Sequence, residues 1–198
     1  MSSLMTAESN TQPAAKRMKA KVCLVGDCAV GKTSLIRRFV LDVFDDSYIA
    51  TMGAKVTKKD VGVQDDTYGN LMVNLLIWDI MGDKTFRDLF KEAFFQGAQG
   101  LLAVCDVTRK DTLTGLDNWI GEVSKVAGDI PIQIIANKTD LTPKTEIGED
   151  DIRSYSASMD SDFIMTSAKT GENVEPAFES MARNIIDRRV GASDAGLV

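Results

Sequence analysis

Eight residues constrain this chain more than any others. GDCAVGKT (26–33) fits the pattern G-x-x-x-x-G-K-[ST] and stands between an apolar run and an amphipathic one. The run before it, KVCLVG (21–26), is short, apolar and closed by glycine, as a buried strand is. After it, Leu35, Ile36, Phe39, Val40 and Val43 recur at helical spacing on one face of 32–43. A glycine-containing loop between a buried strand and a helix turns successive backbone N–H groups inward, around phosphate oxygens. The helix N-terminus adds a partial positive charge at the same place. Asp27, Cys28, Ala29, Val30 and Gly31 form the loop, and Ser34 follows in the first helical turn. Lys32 offers a cation for β- and γ-phosphates, and the Thr33 hydroxyl is a hard oxygen ligand suited to Mg2+.

The rest of the chain keeps alternating. Runs 54–63 (AKVTKKDVGV) and 71–79 (LMVNLLIWD) flank the turn DDTYGN and read as a hairpin. Lys55, Lys58 and Lys59 suit an exposed edge strand that must not aggregate. Helical spacing over 86–95 aligns Phe86, Leu89, Phe90, Ala93 and Phe94, residues that suit core packing or a partner site. Strands are expected at 100–106, 130–137 and 162–168, and helices at 112–127, 149–157 and 174–189. The order β-α-β-β-α-β-α-β-α-β-α implies an α/β protein of three layers. Its six-stranded sheet is mainly parallel, with one antiparallel edge strand and helices on both faces. Residues 1–19 are polar and read as a disordered tail, 20–190 as one domain, and 191–198 as a short flexible tail.

Composition removes several functions. The chain of 198 residues carries a net charge of −6, which argues against nucleic-acid binding. It contains no histidine, so imidazole bases, Ser-His-Asp triads and His-ligated zinc are excluded. The three cysteines, Cys23, Cys28 and Cys105, show no disulfide spacing and suggest a reducing, cytoplasmic setting. No apolar run is long enough to span a membrane or serve as a signal peptide. Position 2 is Ser, and the terminal GASDAGLV lacks Cys, so no covalent C-terminal lipid anchor is expected. The basic cluster Lys16, Arg17, Lys19 and Lys21 reads as a solvated lead-in to the first strand, with an anionic membrane as the alternative.

Three further motifs follow the loop. Asp79 closes the strand LMVNLLIWD, at the strand end where a carboxylate can hold Mg2+ through water, and Gly82 stands three residues on. NKTD (137–140) follows IPIQIIA. Asp140 is acceptor-only and can take two N–H bonds from guanine, which adenine lacks. Asn137 and Lys138 brace that loop, with the Lys138 stem along the base. In TSAK (166–169), backbone N–H groups at Ala168 and Lys169, beside Ser167, reach toward the guanine O6.

These four motifs in this order resemble a small GTPase of the Ras superfamily, closest to the Rab-like branch, over residues 20 to about 190. The resemblance implies a switch that binds GTP or GDP with Mg2+ and hydrolyses GTP. It makes FDDSYIATMG (44–53) the first switch loop and 79–90 the second. Phe44 would pack against guanine, Tyr48 would cover the phosphates, and Thr51 would join Thr33 and Asp79 at the metal. Lys32, Thr51, Gly82 and Asp83 would carry the catalysis. Effector, exchange-factor and GTPase-activating proteins would read the two loops of a monomer that is cytoplasmic or held at a membrane by partners.

Two departures bear on the chemistry. Cys28 and Ala29 fill variable loop positions, and Cys28 is either a tolerated small residue or a redox-accessible thiol beside Lys32. Asp83 stands where the family usually has the glutamine that orients the attacking water. Asp is shorter, charged and without an N–H. It would repel the nucleotide and slow hydrolysis, point away toward Lys84 or Arg87, or take a proton from water. A slow GTPase follows from the first; the rival is a non-hydrolysing GTP-bound adaptor. A P-loop kinase or ATPase is opposed by NKTD and SAK.

Overall fold

The computed structural model describes residues 16–45, 47, 50–65 and 69–194, with the side chains of 65, 84, 86, 87 and 192–194 outside the description. Lys16–Val25 (β1) leads into α1, Lys32–Leu41. The hairpin Ala54–Asp65 (β2) and Gly69–Ile80 (β3) follows, then α2, Lys84–Phe95. Gly100–Asp106 (β4), Asp111–Thr114 (α3), Leu116–Ala127 (α4) and Ile132–Asn137 (β5) come next. A 3-10 helix, Thr139–Lys144, precedes α5 (Glu149–Ser158), β6 (Asp162–Thr166) and α6 (Val174–Asp194).

The strands form one sheet in the order β2-β3-β1-β4-β5-β6. Only β2 and β3 pair antiparallel; every other pair is parallel, as the alternating pattern implies. Consequently β1, β3, β4, β5 and β6 all end at the same edge. Leu24 lies opposite Asp79 there, and Asp106, Asn137 and Thr166 stand side by side across β4, β5 and β6. Two apolar cores sandwich the sheet. One packs α1 and α6 on it, with Phe39 stacked on Phe178 at 4.1 Å between ring centroids. The other buries Phe95, Leu116, Trp119 and Ile152 from α2, α4 and α5.

The element bounds differ from expectation where pairing overrides composition. β1 begins at Lys16, so the polar tail does not run to residue 19: Lys16–Lys19 pair with Leu71–Asn74 of β3. Alternation makes this possible, because Met18 and Ala20 face the core while Arg17 and Lys19 face solvent. At the other end α6 continues to Asp194 instead of stopping near 189. Residues 1–15 and 195–198, and the hairpin turn at 66–68, lie outside the described residues. The expected helix 112–127 is broken at Gly115, where a Cβ would come within 3.1 Å of the Asp27 carboxylate. β6 ends at Thr166, two residues early, which releases Ser167, Ala168 and Lys169 into a loop.

Candidate functional site

The loop after β1 wraps one end of a cavity of about 390 Å3. Gly31 caps α1 at φ 103, and a Cβ there would lie 2.2 Å from the Asn137 amide nitrogen. Glycine is what lets Asn137 Nδ2 reach the Val30 carbonyl, at 2.9 Å. Lys32 is buried, and its Nζ donates to the carbonyls of Gly26 (2.7 Å) and Asp27 (2.9 Å). Burial pushes its pKa down to about 8, against the opposing charge of Asp79. The ammonium is therefore poised above the loop, held by carbonyls that an anion can replace.

Behind Lys32 sits a cluster of hard oxygens. Thr33 Oγ1 donates to Asp79 Oδ2 at 2.5 Å and lies 2.9 Å from Thr51 Oγ1. With the one Thr33 hydroxyl hydrogen directed at the carboxylate, Thr51 is the donor of the second bond. Asp79 is buried, and its Oδ1 has no hydrogen-bond partner among the described residues. Burial raises the Asp79 carboxyl pKa, and the Thr33 bond and the Lys32 charge oppose it only in part. An orphaned carboxylate oxygen beside two hydroxyls costs free energy unless something positive meets it. These residues fit Mg2+, which takes carboxylate, hydroxyl and phosphate oxygens.

Across the cavity, Asn137 is held at both ends of its amide. Its Oδ1 accepts from Thr166 Oγ1 (3.2 Å) and from the Ala168 N–H (3.1 Å), while Nδ2 serves Val30. Lys138 adopts a left-handed φ of 72 and its Nζ meets Asp106 Oδ2 at 2.7 Å. Burial alone would raise the Asp106 pKa, but the bonds from Lys138 and Thr108 outweigh it and hold the carboxyl below its ordinary range. Asp140 faces the cavity and accepts from Ser167 Oγ at 2.6 Å through Oδ1. Arg38 of α1 ties down the last loop, donating to the carbonyls of Ala168 and Lys169.

Of the residues expected at a nucleotide, Cys28, Ala29, Gly31, Lys32, Thr33, Ser34, Phe44, Thr51, Gly82, Asn137, Lys138, Asp140, Ala168 and Lys169 line this one cavity. Asp27, Val30, Asp79, Ser167 and Asp83 do not. The Asp27 carboxylate turns outward to accept from Trp119 Nε1 at 2.9 Å. Val30 is packed in the core, and Ser167 is buried behind Asp140. Asp83 is half-buried but off the wall, and it is not without a partner. Tyr48 lies outside the described residues, as do the side chains of Lys84 and Arg87.

A Cβ on Gly82 would lie 2.6 Å from Asp27 C and Cys28 N. The phosphate loop itself, rather than only a phosphate, demands glycine. Sequence reasoning also missed Arg37, Val43, Asp45, Ser47, Ala50, Met81 and Leu141 on the wall, and the Asp106 hub behind it. For Asp106 the signal was present, as a carboxylate ending the strand GLLAVCD.

A family model described as the Ras family matches residues 21–187. The chain belongs to the Ras family. Its relatives include the Ras-related protein Rab-1D of Dictyostelium discoideum, 36% identical over 85% of this chain and 80% of that protein. The Ras-related protein Rab-22A of Homo sapiens is 36% identical over 89% of this chain and 86% of its own. The GTP-binding protein YPTM2 of Zea mays is 34% identical over 85% and 80%. This Ras-family protein is a Rab-like GTPase, a GTP-binding switch that hydrolyses GTP to GDP. Among the described residues, no helix of the GTPase is long and apolar enough to cross a membrane.

Proposed function

We propose that this Ras-family GTPase is a Mg2+-dependent switch with slow intrinsic hydrolysis. Its two states are read by effectors at 44–53 and 79–90, in trafficking or cytoskeletal regulation. The observation that carries the Mg2+ reading is the buried, unpartnered Oδ1 of Asp79 next to the hydroxyls of Thr33 and Thr51. Thr33 and Asp79 belong to rigid elements, whereas Thr51 comes from the connection between α1 and β2. A metal bound there neutralises phosphate charge. A γ-phosphate completing the site would hold Thr51 there, and so tie loop position to nucleotide state.

The remaining roles fall to the residues that share the cavity. Lys32 leaves the Gly26 and Asp27 carbonyls for phosphate oxygens. Asp140 accepts from the guanine edge, Ser167 keeps its carboxylate aimed, and Asn137 locks the base loop to the phosphate loop. Met52, Val56, Leu89 and Phe90, from the two segments and β2, are exposed apolar side chains that suit effectors, exchange factors and activating proteins. The protein acts as a monomer in the cytoplasm, or at a membrane through such partners.

Three results test this reading. EDTA is expected to accelerate GDP release from the parent protein. Thr51→Ala is expected to weaken the triphosphate complex more than the diphosphate complex; equal losses would mean that 44–53 does not sense the γ-phosphate. The third test concerns rate. Ionised Asp83 can accept from an attacking water but cannot donate toward the transferring group. Asp83→Gln restores the donor and removes a negative charge, lowering the barrier by about 1–3 kcal/mol, roughly 5- to 150-fold in single-turnover hydrolysis. A variant no faster than the parent would show that residue 83 stays off the reaction centre.

A further inference from the structure

Ala29 occupies a backbone state that its side chain opposes. Within the phosphate loop, Gly26, Ala29 and Gly31 all have positive φ, and Ala29 does so at 62 while carrying a Cβ. A left-handed alanine is disfavoured because its Cβ crowds the following carbonyl. Two side chains from outside the loop hold carbonyls before and after Ala29, those of Cys28 and Val30. Asn137 Nδ2 holds the Val30 carbonyl, and Arg109 Nη2 donates to the Cys28 carbonyl at 2.9 Å. The guanidinium is itself anchored, since its Nε donates at 3.2 Å to Oδ2 of the buried Asp106. A planar fork suits two such acceptors at once.

The consequence is geometric. The Cys28–Ala29 peptide is trans, so its carbonyl and N–H point in opposite directions. Cys28 and Ala29 line the cavity and Arg109 does not. With the carbonyl turned out to Arg109, the Ala29 N–H is turned toward the cavity, where it meets no acceptor among the described residues. We propose that Arg109 is a positioning residue: it latches the Cys28–Ala29 peptide so that the Ala29 N–H donates to the phosphate chain of the bound nucleotide. A released peptide relaxes from the left-handed state by turning. It then offers the phosphates a carbonyl oxygen, which repels them, in place of a donor. The latch also joins the two ends of the site, because Asp106 receives Arg109 and the base-loop Lys138 on the same oxygen.

This inference rests on the phosphate end of the proposed site but not on the metal. The experiment measures release of a fluorescent GDP from the full-length protein, in EDTA and in Mg2+. Arg109→Ala is expected to release GDP about 10-fold faster in both, as fits loss of a charge-assisted hydrogen bond. Arg109→Lys recovers only part of this, since a point-like ammonium does not reproduce the planar fork whose Nε and Nη2 meet Asp106 and the carbonyl separately. The discriminating background is Ala29→Gly, in which the left-handed state carries no penalty. There the ratio between the Arg109→Ala and Arg109 proteins is expected to fall below about 3-fold. A purely structural arginine would give the same ratio in both backgrounds, and that result overturns the proposal. So does an Arg109→Ala protein that releases GDP no faster than its parent. Should that variant fail to load, Arg109→Gln is compared in the same two backgrounds. Failure of the metal reading shows separately, as a parent whose GDP release is indifferent to EDTA.

Discussion

Asp140→Asn is expected to weaken both GTP and GDP binding by about 3 kcal/mol, on the order of 100-fold in affinity. The carboxylate lines the cavity, and its Oδ1 already accepts a 2.6 Å bond from buried Ser167. That bond fixes which way the group points without consuming its capacity, since each carboxylate oxygen has two acceptor directions. Guanine presents two N–H donors side by side, and an ionised acceptor meets both. An asparagine amide would set an N–H against one of them, exchanging a charge-assisted bond for a donor–donor clash. The Ser167 bond makes the loss harder to evade, because it resists rotation of the side chain. Titration with a fluorescent GDP analogue measures the effect. An affinity within threefold of the parent would mean that Asp140 does not meet the base.

Gly82→Ala is expected to lower single-turnover GTP hydrolysis by about 100-fold or more while GDP binding changes little. The added Cβ would lie 2.6 Å from two backbone atoms of the phosphate loop, Asp27 C and Cys28 N. Neither neighbour can yield as a flexible side chain would. The Cys28 peptide is also held by Arg109, and the loop between β1 and α1 is packed against the sheet. The segment that moves is therefore the one that begins at Met81, and it carries Gly82 away from the cavity that it lines. A shift of about 1 Å at a reacting centre costs roughly 100-fold. Diphosphate binding needs the phosphate loop and the base loop, which stay where they are. Equal losses in GDP affinity and in hydrolysis would instead place the damage in the phosphate loop.

How much of this was legible in the sequence depended on whether the signal was local. Periodicity and punctuation are local, so the six strands, the hairpin and the helices could be read to within a few residues. The motifs were legible for the same reason: GDCAVGKT, Asp79 with Gly82, NKTD and SAK each describe a few adjacent residues at the end of a strand. The errors lie where a distant partner decides. Lys16–Lys19 look like tail until β3 supplies the strand they pair with. The helix expected from residue 112 is divided at Gly115, where a Cβ would meet the Asp27 carboxylate at 3.1 Å.

Within the site, the sequence by itself determined the identity of the groups: a lysine and a hydroxyl proposed for phosphate and metal, a carboxylate proposed for guanine and, through the family resemblance, a second hydroxyl and an aspartate where the family usually has a glutamine. Strand parallelism then required these groups to meet, since every parallel strand delivers its carboxyl end to one edge. Only the tertiary structure decided what each group touches. It left one oxygen of Asp79 without a partner, set Ser167 behind Asp140 instead of on the cavity wall, and moved Asp27 outward to Trp119. It also brought Arg109, which no motif contains, onto the Cys28 carbonyl 81 residues away. The physical reason is that hydrogen bonds are directional and short. Their partners follow from the relative placement of packed elements, and no periodicity along the chain encodes that placement.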